Sequence, residues 1–255
     1  MAGDLEGKVV VVTGGGDGIG RECGLAYARE GGRVAVLDNN LEAAERTAAD
    51  LSSPGTAVFA DVSDGASVQA ALASIIKKFG RIDAIHNNAG IASPSKPLHE
   101  TSEGEWEKLQ RTNVKSVYWT TRYAFQALVA SKGVILNTAS MVGLIGQQDH
   151  AAYVATKGAM ISLTKAMAAD YAKFSIRVNA ICPAGVWTPM LERWCAEQPD
   201  PDSIRTYLDD IHLLGACPRG DVIADAAVFL LSSKARFITG CILPVSGGAE
   251  IGYRR

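Results

Sequence analysis

Short apolar runs alternate with longer amphipathic stretches along the whole chain. The apolar runs are rich in Val and Ile and lack polar alternation, which is typical of strands buried on both faces. The pattern predicts seven such strands, at 8–13, 33–38, 56–60, 82–86, 134–138, 177–182 and 241–245. The intervening stretches are rich in Ala, with apolar residues at helical spacing, and they predict helices over 20–30, 42–51, 67–79, 103–130, 151–174 and 223–232.

This alternation predicts an α/β fold, with a single domain over 1–255 and a parallel sheet of about seven strands. Right-handed crossovers wind such a sheet doubly and place the ligand crevice at the carboxyl ends of the strands. The stretch between Pro183 and Asp221 departs from the pattern, because Pro, Asp and Trp are frequent and no strand is evident. We expect 187–218 to form a small helical substrate lid, and an ordinary surface insertion is the alternative.

Composition is that of a globular protein, with 47% hydrophobic residues, 20% charged residues and a net charge of -2. No basic excess is available to bind phosphate backbones, so we expect no nucleic-acid partner. The longest aliphatic run, 9–12, is too short for a membrane span, and the start of the chain has no secretory signal pattern. The five cysteines form no C-x-x-C pair, which predicts no disulfide framework, no zinc site and a cytoplasmic location.

A glycine-rich turn follows the first predicted strand, with Gly14, Gly18 and Gly20 in G-x-x-x-G-x-G spacing. The backbone N–H groups of such a turn, together with the positive end of the following helix, favour a bound pyrophosphate. A tight turn without a ligand would use glycine too, so the glycines alone leave both interpretations open.

Acidic residues near this turn bear on which dinucleotide it would bind. Asp38 ends the second predicted strand, eighteen residues after Gly20. A carboxylate there can accept hydrogen bonds from both hydroxyls of an adenosine ribose, and it repels a 2′-phosphate. Asp17 adds negative charge nearby, and neither place is occupied by Lys or Arg. The sequence therefore predicts NAD and not NADP as the cofactor.

Tyr153 and Lys157 lie four residues apart in a predicted helix, so the phenol and the ammonium share one face. A nearby cation favours the phenolate, so we expect a lowered pKa of Tyr153 that suits proton transfer at a hydroxyl or carbonyl. Such pairs are also common on helix surfaces. Ser140 follows the strand 134–138, where its hydroxyl could hold a reacting oxygen. Asn113 is either a solvated helix residue or one that supports the lysine through water.

Taken together and in order, these motifs resemble the short-chain dehydrogenase/reductase family over nearly the whole chain. The resemblance rests on 13–20, Asp61, 88–90, Asn113, Ser140, Tyr153 with Lys157, and 177–189. It implies a Rossmann-type fold in which Asn113, Ser140, Tyr153 and Lys157 are the catalytic residues. It also implies that the cofactor-binding residues are Gly14, Asp17, Gly18, Ile19, Gly20, Asp38, Asp61, Val62, Asn88, Ala89, Gly90, Tyr153, Lys157, Val186 and Thr188.

Two positions depart from the family pattern. Ala184 stands where the family usually has glycine, and it could shift the backbone that binds the nicotinamide. His86 replaces a more usual small apolar residue, and we interpret it as a packed core histidine. Because relatives are usually tetramers, the resemblance also implies a homotetramer.

A branch of the family that oxidises hydroxysteroids and L-fucose is similar at 142–147, 186–189, 199–201 and 246–253. The expected reaction is hydride transfer between a secondary alcohol and NAD, with Tyr153 as general base or acid. The alcohol would be a sugar such as an L-fucose-like aldose, or a cyclic or steroid alcohol. Candidate substrate contacts are Ser140, Gln147, His150, Tyr153 and Tyr253, and the lid adds Trp194, Asp209 and His212.

Three other functions are compatible with parts of this pattern. An NAD-sensing binding protein would share the fold but should lack part of the Ser, Tyr and Lys set. An NAD-dependent sugar epimerase or dehydratase shares Tyr-x-x-x-Lys but carries a larger C-terminal substrate domain. A metal-dependent alcohol dehydrogenase would need ligand spacing that the four scattered histidines do not show.

Overall fold

A parallel sheet organises the computed structural model, which describes residues 3–252. Within these residues seven strands pair in the order β3-β2-β1-β4-β5-β6-β7, all parallel. The strands are β1 Val9–Thr13, β2 Arg33–Asp38, β3 Thr56–Phe59, β4 Ala84–Asn87, β5 Val134–Thr138, β6 Arg177–Pro183 and β7 Ile242–Val245. The predicted doubly wound α/β sheet is thereby confirmed.

Helices cover both faces of the sheet. They are α1 Gly18–Arg29, α2 Leu41–Ala49, α3 Gly65–Phe79, α4 Glu103–Gln110, α5 Ser116–Ser131, α6 Val142–Ile145, α7 Ala151–Tyr171, α8 Pro189–Ala196, α9 Pro201–Asp210 and α10 Asp221–Leu231. Strand β1 shows how the two layers arise: Val9 and Val11 pack with α3, α5 and α7, whereas Val10 and Val12 pack with α1, α2 and α10. Its unbroken apolar sequence is therefore explained by burial on both faces.

The strand order reverses beside β1, which pairs with β2 on one side and with β4 on the other. In open parallel sheets a crevice forms at such a switch point, outside the carboxyl ends of the strands. The glycine-rich turn after β1 and the segment 88–90 after β4 both lie at this edge.

The predicted helix over 103–130 is present but irregular, because one π-helical turn lies within a helical segment that runs from Glu103 to Ser131. This turn, Arg111–Lys115, separates α4 from α5 and contains the buried Asn113. Asn disfavours a regular helix because its amide competes for backbone partners, and here the amide hydrogen-bonds both backbone groups of Ile91. π turns occur mostly as single insertions at functional sites.

Two helices, α8 and α9, form in the stretch where sequence predicted helical structure without a strand. Each has Pro in its first turn and a capping side chain, Thr188 for α8 and Asp200 for α9. They pack around a small separate cluster of Cys195, Leu208 and Cys217. Both helices therefore have their own local packing beside the main sheet.

Three features of residues 3–252 bear on membranes, metals and thiols. None of the helices described there is both long and apolar enough to cross a membrane. In the same residues no group of three or more His, Cys, Asp or Glu side chains could hold a metal ion. All five cysteines are free thiols.

Candidate active site

One large cleft, with a volume of about 1710 Å³, opens at the carboxyl edge of the sheet. Gly14, Asp38 and Val62 line it, as do Tyr153 and Lys157. The structure thus brings residues from the glycine-rich turn, the ends of the strands and helix α7 to a single cavity.

The glycine-rich turn begins α1, and Asp17 caps the helix by accepting a hydrogen bond from Gly18 N at 2.7 Å. Gly20 must be glycine, because a Cβ there would lie 2.1 Å from Gly14 O. Gly18 and Ile19 line the cleft in the first turn of α1, where backbone N–H groups have no partner within the helix. This turn fits a bound pyrophosphate.

Acidic side chains line the cleft beyond the turn. Asp38 accepts hydrogen bonds from Gly16 N and Asn40 N, both at 2.9 Å, one through each carboxylate oxygen. Each oxygen keeps a lone pair for a further donor. Asp61 accepts from the backbone and the hydroxyl of Ser63 at 2.9 and 2.8 Å. The carboxylates at this end can accept hydrogen bonds from an adenosine, and the N–H groups of the glycine-rich turn can donate to a pyrophosphate. The two sets of groups together fit a dinucleotide.

Hydrogen bonds hold the ends of β1 and β4 together at the centre of the cleft. Thr13 Oγ1 accepts from Asn88 N at 3.0 Å and from Ala89 N at 3.1 Å. The Asn88 amide in turn donates to Thr13 O and Gly14 O at 3.2 and 3.3 Å. At Gly90 an added Cβ would lie 3.3 Å from Asn113 Oδ1. Asn88, Ala89 and Gly90 therefore form a fixed wall beside the glycine-rich turn.

Tyr153 and Lys157 line the cleft beside these strand ends, and Ser140, which does not itself line it, hydrogen-bonds Tyr153. The Lys157 side chain is buried, and its Nζ donates to Thr138 O at 2.8 Å. The same Nζ lies 5.6 Å from the centroid of the Tyr153 ring, so the two residues share one helical face as predicted. Ser140 Oγ is 3.4 Å from Pro183 O, in the turn after β5.

Burial governs the protonation of this group of residues. It raises the pKa of Tyr153 to about 12, and a hydrogen bond with Ser140 offsets this only in part. It also lowers the pKa of Lys157 to about 8. The expected lowering of the Tyr153 pKa is therefore not seen, because loss of hydration on burial dominates and only the Ser140 hydrogen bond acts against it.

Asn113 links the segment after β4 to helix α7. Its Oδ1 accepts from Ile91 N at 2.9 Å, and its Nδ2 donates to Ile91 O at 2.9 Å and to Thr156 Oγ1 at 3.0 Å. Thr156 is the neighbour of Lys157 in α7. Both amide donors of Asn113 are thus engaged, one with the Ile91 backbone and one with the Thr156 hydroxyl beside the lysine.

The turn after β6 supplies Val186 and Thr188 to the cleft. Val186 is buried, and Thr188 caps α8 by accepting from Leu191 N at 3.2 Å. Ala184, which replaces the usual glycine of the family, also lines the cleft, and the following Gly185 lies against Cys217 and His212. Val186 and Thr188 therefore line the cleft, and their contact with a nicotinamide stays a prediction.

The candidate substrate contacts fall into two groups. Gln147 and Trp194 line the cleft, as does His150, whose side chain is only 6% exposed. His212 lies buried between the carbonyls of Leu208 and Gly185, and Asp209 accepts from Cys217 N; neither of these two residues lines the cleft. Tyr253 lies outside the described residues.

Several residues that line the cleft were not named individually from the sequence, among them Ser95, Ile145, Met190 and Tyr207. Ile145 lies in the segment 142–147, and Met190 and Tyr207 lie in the predicted lid 187–218, so sequence indicated their segments but not these residues. Ser95 belongs to no motif, and no sequence signal marks it.

The interpretation of His86 as a core histidine is confirmed. The residue is fully buried, with Nδ1 2.8 Å from the Tyr27 hydroxyl and Nε2 2.8 Å from Thr138 Oγ1. Burial lowers its pKa to about 3, so the ring stays neutral at physiological pH.

Comparison with known proteins extends these observations. A family model described as enoyl-(acyl carrier protein) reductase matches residues 14–250. L-fucose dehydrogenase of Bos taurus is 40% identical over 250 residues, covering 98% of this chain and 92% of that protein. The 2,5-dichloro-2,5-cyclohexadiene-1,4-diol dehydrogenase of Sphingobium indicum is 39% identical over 247 residues, covering 96% of this chain and 98% of that protein.

A solved structure is equally similar. The 3-ketoacyl-(acyl-carrier-protein) reductase from Brucella melitensis, complexed with NADH, superposes with a TM-score of 0.91 at 35% identity and covers 97% of this chain and 100% of that one. Together with the dinucleotide cleft and its Tyr, Lys and Ser side chains, these likenesses define a nicotinamide-dependent oxidoreductase of alcohols. The chain belongs to the short-chain dehydrogenase/reductase family.

Proposed function

We propose that the protein oxidises a secondary alcohol with NAD, and that Tyr153 exchanges the proton of the reacting hydroxyl. The observation that carries the proposal is that Tyr153, hydrogen-bonded by Ser140, and Lys157 line the same cleft as Asp38 and the glycine-rich turn. Relatives named for a sugar and for a cyclic diol support a sugar or a cyclic alcohol as the substrate.

Charge in the cleft supports NAD as the preferred cofactor. Asp38 lines the end of the cleft next to Asn39 and Asp61, and no Lys or Arg occupies 38–40 or 61–63. A 2′-phosphate beside the Asp38 carboxylate would meet like charge without a compensating cation. The NADH bound by the similar reductase from Brucella melitensis agrees with this preference.

The proposed mechanism assigns one task to each side chain. Tyr153 takes the hydroxyl proton during oxidation and returns it during reduction, while Ser140 hydrogen-bonds the same oxygen. Lys157, charged below its pKa of about 8 and with Nζ 5.6 Å from the centroid of the Tyr153 ring, is the cation that favours the phenolate. Asn113 holds the segment around Ile91 against α7, and thereby positions Lys157. The nicotinamide ring, when bound, supplies the acceptor for the hydride that leaves the alcohol carbon.

The same proposal covers the organisation of the chain. We infer one domain over 1–255, with the segment 187–218 as a lid that carries α8 and α9. Support comes from Met190, Trp194 and Tyr207, which line the cleft from these two helices.

We also propose a homotetramer that assembles through α5 and α7. A groove of about 360 Å³ lies between these helices. Among the described residues, the buried hydroxyl of Thr121 in this groove has no hydrogen-bond partner, and Tyr118 beside it is half exposed. Sedimentation should give about four times the chain mass of 26.9 kDa, and a monomer in solution would contradict this assembly.

The decisive experiment follows NADH formation with a panel of secondary alcohols in wild type and in Tyr153→Phe. Loss of the phenol should lower kcat by about 10²–10⁴-fold and leave the Kd for NAD nearly unchanged. Tyr123→Phe removes a similar hydroxyl that does not line the cleft, so its kcat should match wild type. Activity that survives Tyr153→Phe would overturn the assignment of the base.

The rival functions give different results in the same assay. An NAD-sensing protein would bind NAD without forming NADH with any alcohol. An epimerase or dehydratase would consume a sugar without net NADH. NADH formed in proportion to the ketone produced would exclude both rivals.

A further inference from the structure

Resting on the proposed function, the geometry points to an alicyclic secondary alcohol with an apolar ring, and not a polyhydroxylated sugar, as the substrate. Two independent features of the substrate end carry this inference. The polar side chains near Tyr153 bond to one another, and the helices around the mouth present exposed apolar side chains.

A chain of hydrogen bonds joins the lid to the start of α7. Trp194 Nε1 donates to Ser95 Oγ at 2.9 Å, and Ser95 Oγ lies 2.8 Å from His150 Nε2. His150 Nδ1 lies 2.9 Å from Gln148 O, which can only accept. Nδ1 therefore carries the ring proton, Nε2 accepts from Ser95, and each group in the chain has its donor engaged.

This chain leaves His150, Ser95 and Trp194 little capacity for a substrate hydroxyl. A sugar hydroxyl at this place finds no free donor on these three residues, and among them only Ser95 Oγ keeps one lone pair that could accept from it. Gln198 uses one of its two N–H donors, because its Nε2 donates to Trp194 O at 3.0 Å. A substrate hydroxyl that enters the cleft without a hydrogen-bond partner loses its hydrogen bonds to water and gains none in return. This loss disfavours binding.

Apolar side chains form most of the remaining wall. Those at least partly buried are Met141, Val142, Leu191, Ile204, Leu208 and Ile211. Three more are substantially exposed at the mouth: Ile145 by 54%, Met190 by 43% and Tyr207 by 55%. They come from three helices, α6, α8 and α9, so a ring of carbon atoms in contact with them would cover apolar surface that is now exposed.

Free polar side chains lie where water already reaches them. The exposed polar residues that line the cleft away from the glycine-rich turn and Asp38 are Ser95, Glu107, Lys108, Arg111, Gln147, Gln148, Asp149 and Arg193. A second polar substituent on the ring is therefore tolerated only where it points toward this solvated rim. The substrate class that follows has one hydroxyl held by Tyr153 and Ser140 and a ring held by apolar contacts.

The reaction on this substrate is the hydride transfer of the proposed function, and its atoms and electrons balance. The carbinol C–H bond breaks as hydride passes to NAD, the O–H proton passes to Tyr153, and the alcohol becomes a cyclic ketone. Reduction of NAD to NADH accounts for the two electrons, and the proton leaves to solvent.

The test compares rings that differ only in hydroxyl groups or in methylene groups. Wild type with NAD is assayed on cyclopentanol, cyclohexanol, cycloheptanol, myo-inositol and L-fucose. We expect kcat/KM to rise about fourfold for each ring methylene added, and to be far lower for myo-inositol than for cyclohexanol. Oxidation of L-fucose or myo-inositol as fast as cyclohexanol would overturn the inference while leaving the proposed function intact. No NADH from any alcohol would instead overturn the proposed function.

Variants at the mouth test the same inference from the protein side. Met190→Gln and Ile145→Asn change exposed positions, so both should fold with a melting temperature near that of wild type. Each should raise KM for cycloheptanol by about tenfold with little change in kcat or in the Kd for NAD. Phe237→Asn alters a fully exposed apolar residue that does not line the cleft, and its KM should stay at the wild-type value. Unchanged KM in both mouth variants would contradict apolar recognition.

Discussion

Lys157 offers a quantitative test of the active site through protein stability. Its side chain is 6% exposed, and burial lowers its pKa from an ordinary value of 10.5 to about 8. A lysine whose pKa falls on folding binds its proton more weakly in the folded state than in the unfolded state. Burial of Lys157 therefore lowers the free energy of unfolding below pH 8, and this loss disappears as pH rises toward 10.5.

The size of the effect follows from the two pKa values. Between pH 7 and pH 10 the wild type should gain about 2.5 kcal/mol in the free energy of unfolding from this one group. Lys157→Met has no such group, so the stability of the variant relative to wild type should fall by the same amount over that range. The comparison across pH cancels the constant terms, including the lost hydrogen bond to Thr138 O.

Urea unfolding, followed by the fluorescence of the four tryptophans at fixed protein concentration, measures this difference at both pH values. Lys165→Met is the matched control, because Lys165 lies exposed on the same helix. Its stability relative to wild type should not change with pH. An equal stability difference for Lys157→Met at pH 7 and pH 10 would refute the argument that burial lowers this pKa.

Three further predictions concern the cofactor end and the core. Asp38→Ser should raise kcat/KM with NADP by about tenfold or more, measured against Asp38→Glu, which should keep the NAD preference. Gly20→Ala should abolish measurable NAD binding, because its Cβ would meet Gly14 O at 2.1 Å, whereas calorimetry should find normal binding in Gly24→Ala, whose Cβ makes only ordinary contacts. His86, with its pKa lowered to about 3, stabilises the fold fully above pH 6.5 and less as pH falls; from pH 8 to pH 5 wild type should lose about 2 kcal/mol more in urea unfolding than His86→Asn.

The sheet could be predicted from the sequence because its central strands are buried on both faces, although the edge strands β3 and β7 are partly exposed. Residues 9–12 show the principle: all four are buried, so no polar position interrupts this run. The strand ends were equally clear, since Gly14, Asn88 and Ser140 follow apolar runs directly and lie together at one edge. Parallel topology converts these separate motifs into one cleft without further information.

Two features could not be predicted from the sequence: the π-helical turn between α4 and α5, and the direction in which the pKa of Tyr153 shifts. The turn at Arg111–Lys115 depends on the two hydrogen bonds between Asn113 and Ile91, residues that only the tertiary fold brings together. Spacing likewise shows that Tyr153 and Lys157 share a face but not how deeply both are buried. Because burial acts against each charged form, it reverses the expected direction for the Tyr153 pKa.

The two ends of the cleft differ in how strongly stability constrains them. Gly20 cannot change without a clash, and Lys157 and Asn113 are buried in hydrogen-bonded positions. Ile145 and Met190, in contrast, are substantially exposed, so their substitution should alter the free energy of unfolding by less than about 0.5 kcal/mol. Substrate choice can therefore change at the mouth while the fold and the chemistry stay fixed. This difference in constraint predicts that similar chains can differ in substrate. The relatives at 39–40% identity agree with it, because one is named for L-fucose and another for a chlorinated cyclohexadiene diol.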